Sequence, residues 1–115
     1  MKKKPAPPHS LQRQYGRLRQ SLAQIGYISH GSVLDRSTLR PPRSGYQWTR
    51  KEARKTITVA LSPEQFEFLR QAIFNGRQFK KTIRKMEKLS RQILFNTLPD
   101  TRRHKSLSKK VLGLI

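Results

Sequence analysis

Residues 44–65 read SGYQWTRKEARKTITVALSPEQ, and how this stretch folds decides the architecture of the chain. Tyr46 and Trp48 alternate with Gln47 and Thr49, a period of two that marks a strand. Ile57, Val59 and Leu61 then alternate with Thr56, Thr58 and Ala60, which marks a second strand. The polar segment between them holds no Asn-Gly or Asp-Gly, so the sequence predicts a hairpin closed by a loop of four or more residues. Ser62, Pro63 and Gln65 supply an N-cap, a proline at the first helical position and a capping-box glutamine. A strand must end there and a helix begin.

That helix is expected over about residues 63–96. Phe66, Leu69 and Ile73 start its apolar stripe, and Phe79, Ile83, Met86 and Ile93 continue it after a one-residue shift at Asn75-Gly76. A glycine inside a helix costs about 1 kcal/mol relative to alanine, so a soft point or a kink is expected there, with a continuous helix favoured. Leu98-Pro99-Asp100 ends it. Upstream, Leu11, Tyr15, Leu18, Leu22 and Ile25 recur at helical spacing behind Ser10 as N-cap and ahead of Gly26 as terminator. This predicts a first helix over residues 10–25. Between it and the hairpin, residues 27–44 are rich in Gly, Ser and Pro and predict turns and extended chain, with room for a short strand around residues 31–34.

The expected fold is therefore α+β and mainly α, an antiparallel helix pair with a small β-hairpin between the helices. The domain spans residues 10–97, preceded by a disordered basic arm over 1–9 and followed by a basic tail over 98–115. At 115 residues with 34% apolar content, the chain can fill only a thin core. The stripes serve equally well for self-association.

Charge dominates the functional reading. The chain carries 26 Lys and Arg against 6 Asp and Glu, a formal net charge of +20. Such a chain repels itself unless a polyanion supplies counter-charge, and nucleic acid is the commonest one. On the long helix Arg77, Lys81, Arg84, Lys88 and Arg91 follow helical spacing two positions from the apolar stripe. A two-residue step turns about 200°, so this basic ridge lies nearly opposite the stripe. Lys80 and Lys85 widen it, and Glu87 is the single acid from Arg77 to Arg91. Like charges four residues apart repel, and a merely solvated face usually mixes signs. The ridge spans roughly 20 Å, enough to follow several phosphates. Arg50, Lys51, Arg54 and Lys55 form a second cluster at the hairpin tip. A two-stranded ribbon fits the major groove, where Gln47, Thr49 or Arg50 can meet base edges. Tyr46 and Trp48 either stack on unpaired bases or form the hairpin's own core, and the second reading is favoured for the only tryptophan.

Other classes are poorly supported. Cysteine is absent, and His9, His30 and His104 are far apart, so neither a disulfide framework nor a metal site is expected. The six carboxylates form no two-metal constellation, and no glycine-rich phosphate loop or nucleophile triad is present. The sequence thus predicts a non-enzyme without a cofactor or small-molecule substrate. MKKKPAPPHS lacks the apolar run of a secretory signal, and no window approaches the ~20 apolar residues of a spanning helix, so a cytoplasmic protein is expected. Membrane-surface binding is disfavoured because the stripe opposite the cations is narrow.

The strings GSV at 31–33, SGYQWTR at 44–50, RKTIT at 54–58 and LSPEQ at 61–65 resemble those of a family of small, uncharacterised bacterial proteins. Its pattern is roughly G-S-L/V, G-P-Y-x-x-x-T-R, G-K-T-V-T and L-S-x-E-Q, and the resemblance covers about residues 10–95. It implies a helix, loop, hairpin and long helix, and a setting around transposases and mobile elements. Two departures stand out. Residues 37–42 replace a cysteine-rich stretch common in such proteins, so a metal role is not inherited. Arg54 replaces the turn glycine, which implies an altered turn. Together these readings predict an accessory protein that grips nucleic acid, with DNA favoured over RNA. An interaction module that docks on an acidic protein or oligomerises, and an RNA or ribosome-associated protein, are the alternatives.

Overall fold

The computed structural model describes residues 8–98 and 107–115. Its elements in chain order are α1 (Pro8–Leu22), β1 (Ser32–Asp35), a 3-10 turn (Arg36–Thr38), β2 (Tyr46–Glu52), β3 (Lys55–Leu61), α2 (Pro63–Thr97) and the short α3 (Lys109–Leu112). The expected arm falls mostly outside the described residues, as does the tail up to residue 106. The chain divides into two compact units. A central unit holds Ile25–Lys80, and a terminal unit holds the chain up to Gln24 together with the chain from Lys81 onward. The continuous helix α2 contributes its first half to the central unit and its second half to the terminal one.

In the central unit the opening stretch forms two strands of a three-stranded antiparallel sheet ordered β1-β2-β3. The third strand, β1, occupies the short strand position anticipated near residues 31–34 and pairs Val33 with Trp48 and Asp35 with Tyr46. Strand alternation sends Val33, Tyr46, Trp48, Ile57, Val59 and Leu61 to one face. At one end of that face Tyr46 stacks on Phe66 of α2, with ring centroids 4.4 Å apart. The hairpin differs from the expected long loop. Glu52 pairs with Lys55, leaving a two-residue turn of Ala53 and Arg54 at φ 49° and 67°. This is the backbone of a type I′ turn, whose twist matches the flanking strands. Arg54 therefore adopts the glycine-like conformation itself, and the strand pairing outweighs its steric cost of about 1–2 kcal/mol.

The capping box at the start of α2 forms as expected. The Ser62 hydroxyl accepts from the Gln65 N–H at 3.1 Å, and the Gln65 side chain accepts from the Ser62 N–H at 2.9 Å. α2 then runs through Asn75-Gly76 without a break. The glycine is a notch. The Ser29 N–H donates to the Ala72 carbonyl at 2.9 Å, and the Asn75 amide donates to the Tyr27 carbonyl at 3.0 Å. These bonds bring the Ser29 carbonyl into the space that a Cβ on Gly76 would occupy. Ala72, Ile73 and Gly76 are buried at this crossing.

The terminal unit buries Leu11 of α1 with Met86 and Leu89 of α2, and half-buries Leu18, Ile83 and Ile93. Leu89 fills the step between Met86 and Ile93 that the sequence stripe passes over. α1 begins at Pro8, two residues before the expected cap, so Ser10 lies within its first turn. Proline is tolerated there because the first-turn N–H groups have no helical partner. The helix also ends at Leu22, before Gly26. Tight i→i−3 bonds from Ala23 and Gln24, at 3.1 and 3.2 Å, close it.

Candidate nucleic-acid interface

The eleven cations singled out in the sequence divide between the two units and meet different fates. At the hairpin, Lys51, Arg54 and Lys55 are exposed. Arg50 is not available in the same way. Its guanidinium lies 4.5 Å from the Trp48 ring centroid and its Nε sits 3.3 Å from Glu52 Oε2, leaving the side chain 23% exposed. Cation–π attraction and a carboxylate hold it in the sheet. The base-reading candidates are engaged as well. Gln47 Oε1 accepts from Arg36 Nε at 3.2 Å, and the Thr49 and Thr58 hydroxyls lie 3.4 Å apart. Trp48 donates its indole N–H to the His30 carbonyl at 2.9 Å. Tyr46 and Trp48 are thus half-buried architecture, the reading the sequence favours for Trp48. Arg77 and Lys80 are exposed on the central-unit half of α2.

In the terminal unit Lys81, Arg84, Lys85 and Lys88 are exposed on the second half of α2. Arg91 is diverted. Its Nε donates to the Gly113 carbonyl at the C-cap of α3, and the side chain is half-buried. Gly113 has φ 72°, and a Cβ there would collide with the guanidinium. Arg91 therefore ties the C-terminal segment to α2, satisfying a carbonyl that the short helix leaves open.

The structure adds residues that the ridge alone does not reveal. An open cleft of about 430 Å³ in this unit is lined by Gln14, Arg17 and Leu18 of α1 and by Lys85, Lys88, Leu89 and Gln92 of α2. Leu18 and Leu89 supply its apolar lining, while three cations and two amides supply the polar groups. No acid lines it, and none of the three cations has a hydrogen-bond or ion-pair partner among the described residues. The described part of the unit carries ten cations, namely Arg13, Arg17, Arg19, Lys81, Arg84, Lys85, Lys88, Arg91, Lys109 and Lys110, against Glu87 alone. By contrast, the described ion pairs, Arg50–Glu52 and Arg70–Glu67, both lie in the central unit. The signal for Arg17 was present in α1, three positions from Gln14 and adjacent to the stripe residue Leu18. Only folding shows which α2 cations it joins.

Asp35 sits at the N-cap of the 3-10 turn. The Ser37 hydroxyl at 2.7 Å and the Ser37 N–H at 3.0 Å hold its pKa below the ordinary value by bonding the charged form. It caps the 3-10 turn and is a structural group. Among the described residues no group of three or more His, Cys, Asp or Glu is placed to hold a metal ion. No described helix is long and apolar enough to cross a membrane. The chain matches no family model, no curated protein and no solved structure.

Proposed function

We propose that this chain is a non-enzymatic nucleic-acid-binding accessory protein whose phosphate grip is centred on the terminal-unit cleft. The observation that carries the reading is the convergence of Arg17, Lys85 and Lys88 on one cleft that, among the described residues, holds no acid and gives them no hydrogen-bond or ion-pair partner. Cations brought together in this way repel one another, and a phosphodiester backbone removes that cost while releasing its counterions. Lys81 and Arg84 extend the grip along α2. Lys51, Arg54 and Lys55 at the hairpin tip add a second contact. Contacts of this kind position the protein without reading sequence. DNA is the first polymer to test and RNA the second. The mobile-element setting rests on the motif resemblance alone.

The test is binding of a labelled duplex and its single strand across a salt series. The wild-type log affinity should fall steeply with log salt, by about 0.9 per phosphate contacted on duplex. Replacing Arg17, Lys85 and Lys88 together by Gln should flatten that slope by about 2.7. Arg50→Gln should leave it unchanged, because Arg50 is already held by Glu52 and Trp48. Absence of binding at about 50 mM salt, or a slope indifferent to the triple replacement, refutes the reading.

One observation favours a second reading. Val111 and Ile115 are 68% and 77% exposed beside Lys109 and Lys110, a composition that suits an acidic, amphipathic protein partner. Under that reading Val111→Ser abolishes partner capture and leaves the salt slope intact.

A further inference from the structure

The central unit holds a second groove, of about 530 Å³, between β1 and the first half of α2. Val33, Phe66 and Ile73 give it an apolar lining, and Phe74, Arg70 and Arg77 line it too. The four aromatic and cationic groups, Phe66, Arg70, Phe74 and Arg77, differ in how free they are. Phe66 is already stacked on Tyr46. Arg70 is held by Glu67, with Nη2 at 2.7 Å from Oε2. Phe74 is 53% exposed with no ring partner, and Arg77, three residues further along the same helix, has no hydrogen-bond or ion-pair partner among the described residues. Residues three apart on a helix are neighbours on its surface. Among the described residues no acid lines the groove.

We infer that this groove binds an unpaired nucleobase stacked on Phe74, with the adjoining phosphate on Arg77, so that the protein prefers single-stranded nucleic acid. This rests on the phosphate-binding reading and sharpens its substrate class. A flat ring half in water beside an unpaired guanidinium offers the two contacts that a single nucleotide supplies together, a π-face and an anion. A paired base within a duplex presents no free face to such a ring, whereas an unpaired one does. An acidic peptide satisfies Arg77 but leaves the ring without a planar partner. The sheet's tryptophan does not supply this function, because its N–H and ring are taken up by His30 and Arg50.

The experiment compares three labelled ligands of equal phosphate number: a single strand of about 12 nucleotides, the same strand made abasic throughout, and a duplex. Deoxyribose and ribose versions separate DNA from RNA. Wild-type protein should bind the base-bearing strand about tenfold tighter than the abasic one. Phe74→Ala should reduce that ratio to below about twofold without weakening abasic binding, and Phe74→Tyr should restore it. Arg77→Gln should weaken both strands alike. Equal wild-type affinity for base-bearing and abasic strands overturns the inference while leaving phosphate binding intact. A Phe74→Ala effect equal on both strands overturns it as well. Failure to bind any of the three ligands overturns this inference and the function it rests on. Because Phe74 is half-exposed, its replacement is compatible with folding, which the Trp48 emission spectrum checks directly.

Discussion

Gly76→Ala tests whether the glycine in α2 is a weakness of the helix or a seat for the crossing chain. Helix propensity alone makes alanine better by about 1 kcal/mol. The structure opposes this, because the new Cβ would occupy the position of the Ser29 carbonyl. Overfilling a closely packed contact costs about 2 kcal/mol. Displacing residues 27–29 also weakens the bond from Ser29 to the Ala72 carbonyl, worth about 1 kcal/mol. The net expectation is a loss of about 2 kcal/mol, or a melting point lower by about 10 °C for a domain of this size. Trp48 lies in the same unit, so urea unfolding followed by its fluorescence reads the change where it occurs. Gly16→Ala in α1 is the matched control. Nothing lies within 4 Å of the Cβ it would add, so that variant should gain about 1 kcal/mol, read by helix circular dichroism. If Gly76→Ala proves as stable as the parent chain, the close approach of residues 27–29 does not exist as described.

Two further outcomes follow from local geometry. Replacing Ala53-Arg54 by Asn-Gly should stabilise the hairpin by about 1–2 kcal/mol, since both positions have positive φ and neither native residue favours it. A loss of stability in urea would show that the turn is not of the I′ kind. The Asp35 carboxyl should titrate below the ordinary aspartate value, because the Ser37 hydroxyl and N–H bond its charged form. Because the folded pKa is depressed, the stabilisation from this cap is complete above the unfolded value and disappears as pH falls through the folded one. Ser37→Ala removes the larger cause and should move the titration back up, as followed by carboxyl carbon NMR. An unshifted wild-type titration contradicts the Asp35 cap.

Much of the chain's local structure was legible before folding. The capping box at Ser62 and Gln65 is a contact between near neighbours, so its chemistry is complete within four residues. The strand alternation around Trp48 and Val59 and the stripes of α1 and α2 are periodicities that one buried face imposes. The hairpin turn departs from the sequence expectation for a definite reason. Turn propensity at Ala53 and Arg54 is weak and points away from a two-residue turn, while seven cross-strand pairs from Tyr46–Leu61 to Glu52–Lys55 leave only two residues to close it. Ends of α1 were likewise displaced, because proline fits in a first turn and the helix stops short of its expected glycine.

The sequence by itself determined the excess of positive charge, the helix periods and the strands, since these depend on composition and on spacing along one element. Tertiary structure decided which charges are free. Arg50 and Arg91 look like Lys51 and Lys88 in the linear chain, yet one is held by Trp48 and Glu52 and the other by Gly113. Arg17 lies far from Lys85 in sequence, and the two line one cleft. A cation's availability depends on the acceptors and rings within a few ångströms of it, and these come from residues distant in the chain.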